Sequence, residues 1–521
     1  MNKLILALFV ILTIFSVKAA NTYRVTPDAP GGGNGSSWDN PMTINEAVNK
    51  VYSLSSHGHI ILCKAGVYVP TAKFTLERNL TIRGGLAGTD DETLDPNGMR
   101  TIIDGENNSG LSPILTISAG DPSTFENLEI RNAYLRAFDK SGKGDIKFKN
   151  CVFDSCGRNY KSDISSLRGG AGRFIGGDAA TIAFENCVFS QNSYEANEAV
   201  KVGNGIALAF QKCKIVMIDN CLFVSNGLGR AALKSTPEGK NITGLRGAAI
   251  YTESPLTVRN TEFRANTTGI YSGTQGAMGG VVYIKEAKGL SSFTNCLFLA
   301  NSCEHCYAIN QDTKEAGVVV VRSSSTAGVN KDTLDVVNCT FAYNFTDGKI
   351  TSAGIDVGSY DGTTANIKNT IFYGAKKSRD SEKGRDIWVS SGCTANIDYC
   401  LFDADGRENI EKYIAGDGTK IISSHNVFGD PKFARAITAE EIDSIMVNNG
   451  SYYGYSADAY ENVFSKADVR ARNRKLTVDT GDLASPWDKE PKPNGKRVNL
   501  GYYGNTAEAL SSSDGMKIFV R

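Results

Sequence analysis

The sequence predicts an all-β solenoid, a single-stranded parallel β-helix, and three observations carry that expectation. The first is a recurring phrase. Phe184-Glu185-Asn186-Cys187-Val188-Phe189-Ser190-Gln191-Asn192 returns with variations from about Phe125 to Phe402. Its central asparagine falls at Asn127, Asn150, Asn186, Asn220, Asn260, Asn295, Asn338 and Asn369, with Tyr399 in that place in the last copy. The separations are 23, 36, 34, 40, 35, 43, 31 and 30 residues. Such periods mark stacked structural repeats, and a coil of three short strands needs only roughly 20 to 25 residues, so the excess is loop.

The second observation is parity. Two residues before each asparagine the chain is apolar: Phe125, Phe148, Phe184, Ile218, Val258, Phe293, Val336, Ile367 and Ile397. A strand buries every second residue, so the asparagine itself should be next inside. Instead the inward set restarts one residue later, with Cys, Leu or Thr, and Phe or Ile follows at plus three. A bend that resets alternation needs an unusual backbone, and asparagine tolerates the left-handed region well. Each asparagine is therefore expected at the corner between two strands, its amide bonding to the next in a ladder. The third observation is an inner column made by Cys151, Cys187, Cys221, Cys296, Cys339 and Cys400. A β-sandwich carrying coincidental Asn-Cys-x-Phe patterns is the alternative.

The chain has 521 residues, with Lys+Arg 56 against Asp+Glu 56, a balance that gives no reason to expect nucleic acid or an acidic membrane surface as partner. Met1-Asn2-Lys3, an apolar run to Val17 and Lys18-Ala19-Ala20 read as a signal peptide over 1–19. The mature chain is expected to be soluble after export, monomeric, and periplasmic or extracellular at the cell surface. Residues 20–431 form the predicted β-helix with its N-terminal cap, and 432–521 a C-terminal capping segment of the same domain. Of 12 cysteines, half lie in the repeat column, where burial explains them better than disulfides. Cys303-Glu304-His305-Cys306 is open to zinc or a local disulfide, a weak metal signal without a second ligand pair.

Gly31-Gly32-Gly33-Asn34-Gly35 is turn-rich but lacks the Lys-Ser/Thr of a phosphate loop. Thr43-Ile44-Asn45-Glu46 is a capping box, and Ile44, Ala47, Val48 and Val51 form one apolar helical face. That helix would cover the open end of the stack. His59–Cys63 and Asn79–Arg83 read as the first strands. Near the other end Thr438-Ala439-Glu440-Glu441 is a second capping box, followed by a tyrosine-rich stretch with Tyr452, Tyr453, Tyr455 and Tyr460.

Several pieces resemble exported bacterial right-handed parallel β-helix proteins: Tyr23 through Trp38, Ile82-Arg-Gly-Gly-Leu-Ala-Gly-Thr89, Ile102-Ile-Asp-Gly105, and the closing run Asp479 to Asn505. Gly247-Ala-Ala-Ile-Tyr251 and Gly279-Gly-Val-Val-Tyr283 resemble the GGAI half of polymorphic outer-membrane-protein repeats. Phe189-Ser-Gln-Asn192, Phe223-Val-Ser-Asn226, Phe263-Arg-Ala-Asn266, Phe298-Leu-Ala-Asn301 and Phe341-Ala-Tyr-Asn344 resemble their FxxN half. The resemblance implies a right-handed, pectin-lyase-like architecture over most of the chain, and it implies no single chemistry. Runs long enough for an outer-membrane barrel are missing.

Chemistry is expected on the outward row beside the asparagines: Glu126, Lys149, Glu185, Asp219, Arg259, Thr294, Val337, Lys368 and Asp398. Most neighbours are complementary (Glu126 with Lys149, Lys149 with Glu185, Asp219 with Arg259, Lys368 with Asp398). Glu185 beside Asp219 is the exception, and two carboxylates so placed repel or recruit a cation. The four site candidates are Lys149, Glu185, Asp219 and Arg259. Inverting glycosidases hold two carboxyls roughly 6.5–9.5 Å apart and retaining ones about 5 Å. The resemblance to β-helix polysaccharide lyases implies instead a cation with basic residues, which admits Ca2+ without requiring it. An ionic ladder of purely structural character is the competing reading. The plus-two row (Val152, Val188, Leu222, Leu297, Ile371, Leu401) is apolar though it points outward, and insertions such as Gly227–Leu245 and Cys303–Ala316 are expected to cover it. His57, His59, His305 and His425 form no catalytic pattern. The expected role is engagement of a polysaccharide or cell-surface glycan along the elongated surface, with catalysis as lyase or hydrolase undecided. A non-catalytic adhesin, with the tyrosine-rich stretch as an aromatic platform, or a structural surface protein is the other course.

Overall fold

The structure is a computed structural model that describes residues 21–512 except 55–57, 78, 119, 121, 158–168, 195–203, 229–245, 270–278, 305–315, 324–330, 347–351, 359–361, 378–384, 404–419, 449–452 and 456–458. The expected signal peptide, His57, His305, Cys306, Tyr452 and most of the two insertions fall outside the described residues. Among the described residues, four parallel sheets stack along one axis. Sheet A has thirteen strands, from Thr22–Val25 to Lys420–Ser424, and sheet B twelve, from Gly66–Tyr68 to Val427–Phe428. Sheet C has ten, from Phe74–Leu76 to Arg385–Val389, and sheet D six short ones, from Ser193–Tyr194 to Lys376–Lys377. One coil runs through Thr181–Glu185 in A, Val188–Ser190 in B, Ser193–Tyr194 in D and Leu208–Gln211 in C before entering Ile215–Asp219 in A. The chain is a parallel β-helix.

Registration is set by the repeat. Phe148 pairs with Phe184 and Phe184 with Ile218 in sheet A, while Phe189 pairs with Phe223 in sheet B. Like side chains therefore stack. The rings of Phe189, Phe223, Phe263, Phe298 and Phe341 follow one another at centroid distances of 4.5, 4.9, 4.8 and 4.4 Å, with planes within 10° of parallel. The six column cysteines carry free, buried thiols, and Thr261 and Thr370 fill the same column at 0 % exposure.

Every central asparagine has φ between 48° and 56°, and Tyr399 has 51°. The corner inferred from the parity flip is present. A second left-handed corner follows in the coils from Asn150 to Asn338, at Ser155, Gln191, Ser225, Ala265, Ala300 and Tyr343, with φ between 50° and 55°. It turns the next residue inward. Asn192, Asn226, Asn266, Asn301 and Asn344 are consequently buried, 0–1 % exposed. Each of the first four donates from Nδ2 to the Oδ1 of the next at 2.9–3.1 Å. Asparagine ladders thus run at both corners among the described residues. The one at the central asparagines runs only from Asn127 through Asn150 and Asn186 to Asn220, at 2.7–3.1 Å.

The helix Ile44–Tyr52 has its capping box formed at Thr43 and Glu46 and buries Ile44, Ala47, Val48 and Val51. It packs on the first strands of A and C. The segment after Asp430 closes the flank of the last coils. Phe433, Ile437, Ile442, Tyr455, Phe464 and Leu500 share one apolar cluster with Leu297, Leu299, Phe345, Ile371 and Leu401. The cover over Leu297, Ile371 and Leu401 is therefore this segment, because the left-handed corners aim that row at the flank where it lies. Val152, Val188 and Leu222, on earlier coils, remain half-buried. Tyr455 is wholly buried, its hydroxyl donating to Tyr343 O at 2.8 Å, so it offers no platform face.

Candidate functional site

Sheet A sets Lys149, Glu185, Asp219 and Arg259 in one outward row because each is the last residue of its strand before the corner. The register pairs Lys149 with Glu185, Glu185 with Asp219, and Asp219 with Arg259. The structure thus brings all four candidates together on consecutive coils, each about one strand spacing of ~4.8 Å from the next.

Their partners differ from the expected rungs. Glu185 Oε1 meets Lys147 Nζ at 2.8 Å, a diagonal contact from the same face of the neighbouring strand. Asp219 Oδ1 accepts from Asn260 Nδ2 at 2.8 Å, which takes Asn260 out of the ladder. Glu126 pairs with Arg83 at 3.0 Å. Lys368 reaches Asp482 of the C-terminal segment at 2.9 Å, and Asp398 accepts from Ser424 Oγ at 2.8 Å and lies 2.9 Å from His425 Nδ1. Long ammonium and guanidinium stems reach diagonal partners as easily as direct ones, which strict strand parity does not anticipate. Lys149 and Arg259 are exposed and make no ion pair with any described residue.

Ca2+ takes six to eight oxygen ligands. Here one carboxylate faces an ammonium and the other an amide N–H, so the pair does not offer an oxygen-rich cage. No group of three or more His, Cys, Asp or Glu side chains gathers among the described residues. Cys303 is fully buried in sheet D and donates to Gly317 O at 3.3 Å, and His59 is 0 % exposed.

The flank beside this row divides in two. Asn186, Asn220 and Asn260 are exposed, and Asn150 is half-buried. Asn295, Asn338 and Asn369 are 9, 3 and 0 % exposed, because the C-terminal segment lies on them. Asn295 Nδ2 donates to Tyr502 O at 2.9 Å and Gly504 O at 2.6 Å, and Asn369 Oδ1 accepts from Asp482 N at 2.8 Å.

Two polar clusters escaped the sequence reading. On the outward face of sheet C, Asp139 is gripped by Arg173 at 3.0 and 2.6 Å and by Arg136 at 3.0 Å, and nearby Glu253 accepts from Tyr251 and Gln211, both at 2.7 Å. At the N-terminal end a hollow of about 850 Å3 is lined by Arg24, Trp38, Asp39, Asp91 and Glu92 among others. Both lie outside the Asn-Cys-x-Phe phrase, where only the sheet C register or a loop contact joins residues 34 to 67 positions apart. That register was the signal available, through the GGAI segments.

No protein-family model matches the chain, and no curated protein matches it. Among solved structures, it is similar to the pectate lyase Pel9A, at 12 % identity over 94 % of this chain and 97 % of that one, with a TM-score of 0.40. A rhamnogalacturonan lyase matches at 12 % identity over 85 % and 98 %, TM-score 0.37. The Streptococcus pneumoniae surface protein and adhesin PfbA matches at 13 % over 78 % and 97 %, TM-score 0.31. Among the described residues, no helix is long and apolar enough to cross a membrane.

Proposed function

We propose that this protein is exported and engages a polysaccharide along its elongated surface, with Lys149, Glu185, Asp219 and Arg259 as the contact row. One observation carries the reading. The four side chains stand in register beside an exposed amide ladder, and the two cations at the ends of the row have no partner among the described residues. An unpaired surface cation beside hydrogen-bonding amides is what an anionic, hydroxylated polymer can use. Exposed ion pairs contribute little to stability, roughly 0–1 kcal/mol each, so a purely structural ladder would gain little from these residues.

The second reading is a lyase or hydrolase. It is favoured by the adjacency of Glu185 and Asp219 on paired strands, since glycosidases work with two neighbouring carboxyl groups. The partners of both carboxylates favour binding over acid–base work, since each already spends an oxygen on a donor. The deciding experiment incubates the mature protein with a panel of acidic and neutral polysaccharides. Retention on immobilised glycan without new reducing ends or unsaturated-uronate absorbance is the expected result. Cleavage abolished by Glu185→Gln and Asp219→Asn would establish the enzyme instead, and neither retention nor cleavage on any glycan would defeat both.

A further inference from the structure

The open part of the asparagine corner has two ends, and both are built by other parts of the chain. Upstream, the guanidinium of Arg100, the residue before Thr101–Asp104, donates to the backbone carbonyl of Asn150, so that side chain reaches across the corner there. The chain before Arg100 is anchored behind, with Asp95 N donating to Gly85 O at 2.8 Å. Downstream, Tyr502 and Gly504 occupy the amide of Asn295, and the Tyr502 hydroxyl donates to Glu262 Oε1 at 3.1 Å. Between these walls only Asn150, Asn186, Asn220 and Asn260 remain. Their floor on the sheet B side is Val152, Val188 and Leu222, half-buried and apolar, and at the Asn260 rung Glu262, which pairs with Arg264.

The covered half shows that the amides of this corner can be taken by groups laid against it. There the chain's own turn-rich C-terminal segment takes the amides of Asn295, Asn338 and Asn369 through its backbone and Ser485, while Gly501 packs against Ile371. The open half continues the same corner, amides beside aliphatic side chains, with nothing from the described residues laid along it. Its repeat suits a sugar polymer better than a peptide. The rungs recur every ~4.8 Å, close to the advance of one pyranose in an extended 1→4-linked chain, whereas a peptide strand falls out of phase with that step.

The geometry points to a binding trough, closed at both ends, that takes a run of about four sugars of an anionic glycan, one per asparagine rung from Asn150 to Asn260. Lys149 and Arg259, three steps or roughly 14 Å apart, receive the acidic groups near its two ends. Each exposed amide offers its N–H and carbonyl to ring hydroxyls, and the aliphatic floor receives the C–H face. This rests on the glycan-binding reading above and adds site, length and charge to it.

The test is a calorimetric length series on the mature protein, with linear uronate oligosaccharides of two to eight sugars and neutral oligomers of the same linkage in parallel. Affinity should rise several-fold per sugar up to four or five and then level, with neutral oligomers at least tenfold weaker. Asn186→Gly with Asn220→Gly removes two amides while keeping the left-handed corner, and should weaken the tetramer at least tenfold without lowering the melting temperature appreciably. Affinity that climbs steadily to the octamer overturns the closed trough while leaving glycan binding intact. So does full-strength binding by the double variant, which would place the glycan elsewhere. No binding at any length, when the polysaccharide panel also fails, instead removes the reading on which the trough rests.

Discussion

Asn186 and Asn226 are the same residue type 40 positions apart in adjoining repeats, yet their amides do different work. Asn186 is exposed at φ 54°, so its backbone preference outweighs its ladder bond. Asn226 is 1 % exposed, donating to Phe189 O at 2.8 Å and Asn266 Oδ1 at 2.9 Å while accepting from both the backbone and the amide of Asn192. Removing one partner of a buried bond leaves others unsatisfied at about 1–3 kcal/mol each. Asn226→Gly should therefore cost about 3 kcal/mol or more, whereas Asn186→Gly should change stability by less than about 1 kcal/mol, read by denaturant titration. Asp332 supplies a second residue-scale expectation. Burial pushes its carboxyl up to about 6, against the backbone N–H of Gly289 that holds it down. A carboxyl raised in the folded state binds its proton more tightly folded than unfolded. Its contribution is therefore full below about pH 4 and is lost as pH rises through about 6, a difference of up to about 3 kcal/mol. The stability difference between the parent and Asp332→Asn should shift in the variant's favour from pH 4.5 to 7.5, and a flat difference would refute it.

At the scale of elements, the strands are short and no single one is stable alone, so the stacked columns decide. Phe223 sits between Phe189 and Phe263 at 4.5 and 4.9 Å with no exposure. Phe223→Ala should cost about 3–5 kcal/mol by chemical denaturation, because a rigid ladder of coils on either side cannot collapse into the cavity. The same columns explain what was legible beforehand. Phe184, Asn186 and Cys187 announced strand, corner and core because each repeats at a fixed offset, and the N-terminal helix was legible because its cap and apolar face are local. The second corner was not, since Ser155, Gln191, Ser225, Ala265, Ala300 and Tyr343 share no chemistry, only a backbone angle. Its consequence, the buried FxxN ladder, was visible as a family-like motif without its orientation. Of the site, the row from Lys149 to Arg259 followed from parity, but its ion pairs did not. Lys147 reaches Glu185 diagonally, and Lys368 is claimed by Asp482, a residue 114 positions away that no repeat pattern connects to it.

For the whole molecule, the sequence-distant C-terminal segment and the coils make an unequal partnership. Coils contact only their neighbours, so stability spreads as a sum of nearest-neighbour terms. The segment instead spans many coils at once, from Glu262 through Asn295 and Tyr343 to Tyr399, whose ring lies under the Arg497 guanidinium at 5.1 Å. Its anchor is Tyr455, wholly buried, with Phe464 at 4.9 Å and Phe345 at 5.6 Å and its hydroxyl on Tyr343 O. The coils satisfy their own backbone without it, through sheets A, B and C, but losing it would uncover Leu297, Phe345, Ile371 and Leu401 together. Tyr455→Ala should therefore loosen the segment by about 3–5 kcal/mol while leaving the β-helix folded. Limited proteolysis should nick the variant beyond Asp430 at rates the parent does not show, hydrophobic-dye binding should rise, and far-UV circular dichroism should stay nearly unchanged. A variant that instead loses its strand signal in one step would show that the segment and the coils fold as a single cooperative unit. The same opening would also remove the downstream wall at Asn295, so the variant should bind glycans longer than the parent's limit with added affinity.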